Sequence, residues 1–130
     1  MEYITSQERF LGRIEIELFE DEAPQTVANF LAHIRGEAPR PAEEGDDDKD
    51  EGEEGPRTYS YRDTPLHRIL PGYYCLGGDV VNGNGSAGSS IHGGAPFPDE
   101  KNDLTHSEAG SLETPLYFSL SRFNFVLLLR

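Results

Sequence analysis

Along residues 11–19 the apolar Ile14, Ile16 and Leu18 alternate with Arg13, Glu15 and Glu17. Period two is the repeat of a strand whose successive side chains point to opposite faces, so this segment predicts a half-buried strand with one wet face. The repeat then changes. Val27, Phe30, Leu31 and Ile34 recur at i, i+3, i+4 and i+7, the stripe that a helix buries along one side. Glu20, Asp21 and Glu22 stand ahead of Pro24, and Gly36 follows the last apolar position. Acids suit the positive end of a helix, proline fits its first turn, and glycine lets the chain leave it. The expectation is a strand feeding directly into a helix of about three turns.

Residues 37–57 carry almost no apolar side chains and contain Pro39, Pro41, Gly45, Gly52, Gly55 and Pro56. Such a stretch cannot offset its ordering entropy by burial, so it is expected to be a disordered acidic insertion. It is either a docking strip for a basic partner or a solvated loop tolerated because closure cost grows slowly with length.

Beyond it, residues 61–112 alternate short apolar runs with glycine and proline. Residues 66–70 read as a strand, Pro71-Gly72 as a turn, and residues 73–76 as a second strand. Gly77 and Gly78 break the pattern before Val80 and Val81. Many short strands between turns indicate a mainly β, antiparallel barrel or sandwich. The chain closes with Phe123, Phe125, Val126, Leu127, Leu128 and Leu129. This dense apolar end falls short of the ~20 residues that span a bilayer, and it fits either a buried terminal strand or an exposed, aggregation-prone end.

Composition narrows the function. The 130 residues suit one domain, and 24 Asp and Glu against 11 Lys and Arg give a net charge of −13. That disfavours nucleic acid and anionic membrane as partners, because both reward clustered cations. Much of the acidity is local, with Glu43, Glu44, Asp46, Asp47, Asp48, Asp50, Glu51, Glu53 and Glu54 set against Lys49. The single Cys75 excludes an internal disulfide and a cysteine-based zinc site. Residues 1–10 lack the apolar run of a secretory signal, so a cytoplasmic, reducing setting is expected.

Candidate chemistry thins out quickly. Residues 83–88 match G-x-G-x-x-G, but a dinucleotide site needs a helix opening there, and Gly93, Gly94, Pro96 and Pro98 forbid one. A glycine-rich surface loop is expected instead. His33, His67, His92 and His106 have no ligand-type spacing, so neither metal nor cofactor is expected. Asn84-Gly85-Ser86 is a glycosylation sequon that should stay unmodified without secretion. There remains Arg68, a cation inside the apolar run Leu66-His67-Arg68-Ile69-Leu70. Alternation puts Leu66, Arg68 and Leu70 on one face and His67 and Ile69 on the other. It is either a fixed guanidinium fork beside Tyr73 and Tyr74, or an exposed arginine on a barrel exterior.

The run Leu66-His67-Arg68-Ile69-Leu70-Pro71-Gly72-Tyr73-Tyr74-Cys75-Leu76-Gly77-Gly78-Asp79 resembles the signature of the cyclophilins, the cyclosporin-binding peptidyl-prolyl cis-trans isomerases. Residues 12–19 and 23–30 are similar to that family's first strand and helix, and residues 84–93 and 97–100 to its glycine loop and following segment. The resemblance covers residues 12–112, apart from the acidic insertion. It implies an eight-stranded antiparallel barrel closed by two helices, proline-containing peptides as partners, and cyclosporin as a ligand. By the same resemblance Arg68 is the catalytic residue, and Tyr73, Tyr74 and Leu76 belong to the substrate pocket.

Two departures follow from the comparison of motifs. Leu76 stands where the family has a glutamine that hydrogen-bonds substrate and helps orient the arginine; one such contact is worth ~1–3 kcal/mol. Residues 113–130 form an apolar tail without the family's later motifs, and the chain contains no tryptophan. The resemblance therefore implies a cyclophilin-like single domain incomplete at its C-terminal side, as in a truncated product. Open edges of that kind predict low stability and association. The functional expectation is acceleration of X–Pro rotation, with a non-catalytic module that binds proline-containing peptides as the alternative.

Overall fold

The computed structural model describes residues 9–41, 57–100, 103–105, 109–113 and 125–128. Among them are one helix and six short strands: α1 (Pro24–Arg35), β1 (Ala38–Pro39), β2 (Thr58–Tyr59), β3 (Arg68–Leu70), β4 (Tyr74–Gly77), β5 (Leu112–Glu113) and β6 (Phe125–Leu128). The fold is mainly β with a single helix, as the sequence predicts.

Helix α1 starts on its proline and ends at Gly36, whose φ of 72° is the left-handed turn that glycine adopts without strain. The Glu37 N–H donates to the Ala32 carbonyl at 2.8 Å, closing the C-terminal turn. Val27 and Phe30 are buried, as their spacing predicts, but Ile34 is half exposed at 49%. Asn29 and His33 are buried in its stead. Each makes one defined polar contact there. Asn29 Oδ1 accepts the Ile91 N–H at 3.0 Å, and His33 Nδ1 donates to the Asn29 carbonyl at 2.7 Å. The His33 ring stacks on Tyr61 with centroids 4.8 Å apart, and Phe30 meets the same tyrosine at 5.4 Å. Burial raises the Tyr61 hydroxyl pKa, so this ring stays neutral through the physiological range.

The acids ahead of the helix do not cap it. Ala23 occupies the N-cap, offers no side-chain bond, and leaves the first turn without an acid. The cap comes from Glu100, whose Oε1 accepts the Gln25 N–H at 2.7 Å and whose Oε2 accepts the Thr26 N–H at 2.9 Å. A carboxylate here satisfies two of the free donors at the positive end of the helix. Burial alone would raise the Glu100 pKa, but the donors at Thr26 and Gln25 outweigh it and hold the carboxyl below its ordinary value. This contribution is therefore present above about pH 4.3 and is lost as pH falls through the folded value. Glu100→Ala is expected to lower stability by about 1 kcal/mol at neutral pH. The difference from wild type should shrink in acid, and thermal melts at the two pH values check both parts.

Strands β1 and β2 pair antiparallel, Ala38 opposite Tyr59 and Pro39 opposite Thr58. They form a neck for the acidic insertion, with Ala38 fully buried and the Arg40 guanidinium carbon 5.9 Å from the Tyr59 ring centre. The insertion expected to be disordered over residues 37–57 is therefore ordered at its described ends, where Ala38 and Pro39 pair with β2 and the Arg40 N–H donates to the Arg57 carbonyl. Residues 42–56 lie outside the described residues.

The other four strands form one antiparallel sheet in the order β3-β4-β6-β5. The predicted hairpin is present but shorter than its apolar runs: β3 begins at Arg68, and Tyr73 belongs to the turn, its N–H donating to the Leu70 carbonyl at 3.0 Å. The dense C-terminal run supplies β6 between β4 and β5, and Leu127 is half-buried.

One expected strand is absent. Residues 11–19 make no strand pairing among the described residues, and Ile14 is 71% exposed. Alternation specifies a surface with one apolar face; a strand also needs a neighbour to take its N–H and C=O groups.

Candidate functional site

The β3–β4 hairpin gathers the predicted residues. Arg68 lies opposite Leu76, Ile69 opposite Cys75, and Leu70 opposite Tyr74. Directly opposed residues share a face, so Arg68, Leu70, Tyr74 and Leu76 line one side of the sheet. Ile69 and Cys75 line the other, and Cys75 is buried, anchoring the hairpin. Arg68 is exposed, and its guanidinium carbon stands 5.9 Å from the centre of the diagonal Tyr74 ring. A contact of this kind is worth about 0.5–1 kcal/mol at an exposed site and restricts where the fork can go. Tyr73, 63% exposed, meets Tyr74 with centroids 5.1 Å apart at 58°. The result is a planar cation beside two aromatic rings on a hydrogen-bonded scaffold. Leu76, half-buried and directly across from Arg68, offers that cation no hydrogen bond.

Sequence reasoning missed the residue that organises the adjoining loop. Asp79 is buried, at 1% exposure. Its Oδ1 accepts the N–H groups of Val81 and Asn82 at 3.0 and 2.9 Å, and its Oδ2 those of Asn84, Gly85 and Ala87 at 3.2, 2.8 and 3.3 Å. Burial would raise this carboxyl, but the backbone donors, led by Asn82, Val81, Ala87 and Asn84, prevail and lower its pKa. The available signal was an acid placed just before Asn82-Gly83-Asn84-Gly85, since consecutive turns aim backbone N–H groups at one point. This also explains why the G-x-G-x-x-G match is no phosphate cradle: the chain's own carboxylate takes the N–H groups an anion would use.

The loop presses on the residue beside Arg68. Gly85 has φ +85°, and a Cβ placed there would stand 2.5 Å from His67 Nε2 and 2.7 Å from its Cδ2. Gly85→Ala combines a left-handed backbone with that clash, so a loss of about 1–3 kcal/mol is expected in chemical denaturation. The Asn29–Ile91 bond ties the far end of the same segment to α1. The glycine-rich loop thus approaches the residue next to Arg68 through Gly85 and is tied to α1 through Ile91.

The exposed planar cation and the aromatic surface beside it offer hydrogen-bond donors and flat apolar area on one patch, an arrangement suited to recognising a peptide segment. The cyclophilin type peptidyl-prolyl cis-trans isomerase/CLD family model matches residues 1–119, and the chain belongs to this family. Peptidyl-prolyl cis-trans isomerase CYP21-1 of Arabidopsis thaliana is 40% identical over 100 residues, which are 77% of this chain and 39% of that protein. The chain therefore spans about two fifths of the length of this curated relative. The family match continues past Leu112, where the motif-by-motif resemblance stops.

Proposed function

We propose that the chain is a peptidyl-prolyl cis-trans isomerase in which Arg68 acts on the X–Pro bond. Delocalisation of the nitrogen lone pair into the carbonyl gives that bond a rotational barrier of ~18–20 kcal/mol. A hydrogen bond donated to the prolyl nitrogen favours the pyramidal, twisted amide over the planar one, so it stabilises the transition state selectively. Arg68 supplies the donor from a planar guanidinium fork. Tyr73 and Tyr74 supply flat apolar surface for the pyrrolidine ring, and Leu76 extends it. No covalent step or cofactor is required. The observation that carries the proposal is the exposed Arg68 fork set over the Tyr74 ring on the β3–β4 hairpin. Proline-containing segments of proteins are the substrates on this reading, cyclosporin is a ligand of the same face, and the cytoplasm is the compartment.

Leu76 supports a second reading, a module that binds proline-containing peptides without turning them over. Directly opposite Arg68, it gives the fork no hydrogen bond, and the Tyr74 ring is the contact that the described residues provide. An isomerisation assay on a short X–Pro peptide separates the two. Catalysis predicts turnover that rises about tenfold in Leu76→Gln, the equivalent of roughly one added hydrogen bond to the fork or substrate. Peptide binding without turnover in both proteins would establish the module instead.

A further inference from the structure

Two unpaired edges of this molecule match each other. The first is the segment 12–19, with no strand partner among the described residues and with Ile14 and Ile16 71% and 44% exposed. The second is the outer edge of β3, which ends the sheet and pairs only with β4 among the described residues. Ile69 on that edge is 57% exposed, and Leu66 just before it 47%. Edges of this kind recruit added strands.

The side-chain patterns agree as well. Arg68 occupies one face of β3, while Ile69 shares the other with buried Cys75. A strand laid beside β3 with Glu15 or Glu17 on the Arg68 face must, by its period of two, set Ile14, Ile16 and Leu18 on the Ile69 face. Charge points the same way. The donor segment and its extension carry Glu15, Glu17, Glu20, Asp21 and Glu22 against Arg13, while the acceptor region carries Arg62 and Arg68 against Asp63. Each copy holds one donor and one acceptor. A two-fold pair satisfies all of them at once and closes, as isologous dimers do.

We infer that the chain forms a reciprocal dimer in which residues 12–19 of each copy add a strand to the β3 edge of the other. The net charge of −13 opposes the approach of two copies, but at physiological ionic strength the screening length of about 8 Å confines that repulsion and leaves contact pairs intact. The inference does not depend on isomerase activity, because its readout is mass.

Sedimentation velocity over a concentration series at physiological salt is the test. The expected result is a reversible twofold rise in mass that stops at two copies. Ile16→Pro removes a ladder donor at a position with no strand pairing among the described residues, so it should give single-chain mass with an unchanged far-UV circular dichroism spectrum. Arg68→Glu should also abolish the pair, and adding Glu15→Arg with Glu17→Arg should restore it. Single-chain mass at every concentration overturns the inference. So does mass that grows without limit, a dimer indifferent to Ile16→Pro, or failure of the charge exchange to restore association.

Discussion

Arg68→Ala is expected to lower turnover of an X–Pro peptide by about 10²-fold or more, the scale of removing one donor aimed at a transition state. The melting profile should stay where it is. Arg68 is exposed, its ring contact is worth under about 1 kcal/mol, and the buried anchor of the hairpin is its neighbour Cys75. Arg68→Lys separates charge from shape. A lysine keeps the cation but loses the planar fork that can lie over Tyr74 while still presenting an N–H, so it should recover only part of the loss. Equal turnover in wild type and Arg68→Ala would remove this residue from the mechanism. A lowered melting temperature in Arg68→Ala would show that the side chain serves the fold.

The largest effect on stability is expected at Asp79. Its carboxylate accepts five backbone N–H groups, from Val81, Asn82, Asn84, Gly85 and Ala87, and no other single side chain described here accepts as many. Asp79→Ala leaves those donors without their acceptor beneath a tight loop, and a cost of about 3 kcal/mol or more follows. Asp79→Asn keeps the shape and one acceptor oxygen but not the charge, so it should cost less. The pH dependence has a definite sign. Because the folded pKa lies below the ordinary value, the stabilisation is complete above about pH 3.9 and is lost as pH falls through the folded value. Acid titration of wild type against Asp79→Asn checks it, since the variant should lack this component of the acid transition. The consequence reaches function through geometry. The loop that Asp79 holds seats Gly85 against His67, the neighbour of Arg68 in the chain, so a slack loop should cost activity before the protein unfolds.

What was legible in the sequence was local or carried by a long motif. Pro24, the apolar spacing through Phe30 and the terminal Gly36 determine α1, because capping and periodicity act within a few residues. Pro71-Gly72 between two apolar runs determines the hairpin for the same reason. The composite of residues 66–79 identified the cyclophilin family, and the candidate set Arg68, Tyr73, Tyr74 and Leu76 falls on one hairpin. What only the tertiary structure decided were partnerships between distant segments. Glu100 caps a helix whose nearby acids do not, and Asn29 is buried because Ile91 supplies its partner. Residues 125–128 become an inner strand because β4 and β5 flank them, whereas residues 12–19, with the better strand pattern, make no strand pairing among the described residues. Period and cap chemistry are properties of neighbouring residues and can be read directly. A hydrogen-bond partner far along the chain is chosen by how the whole molecule packs, and no local pattern contains that choice.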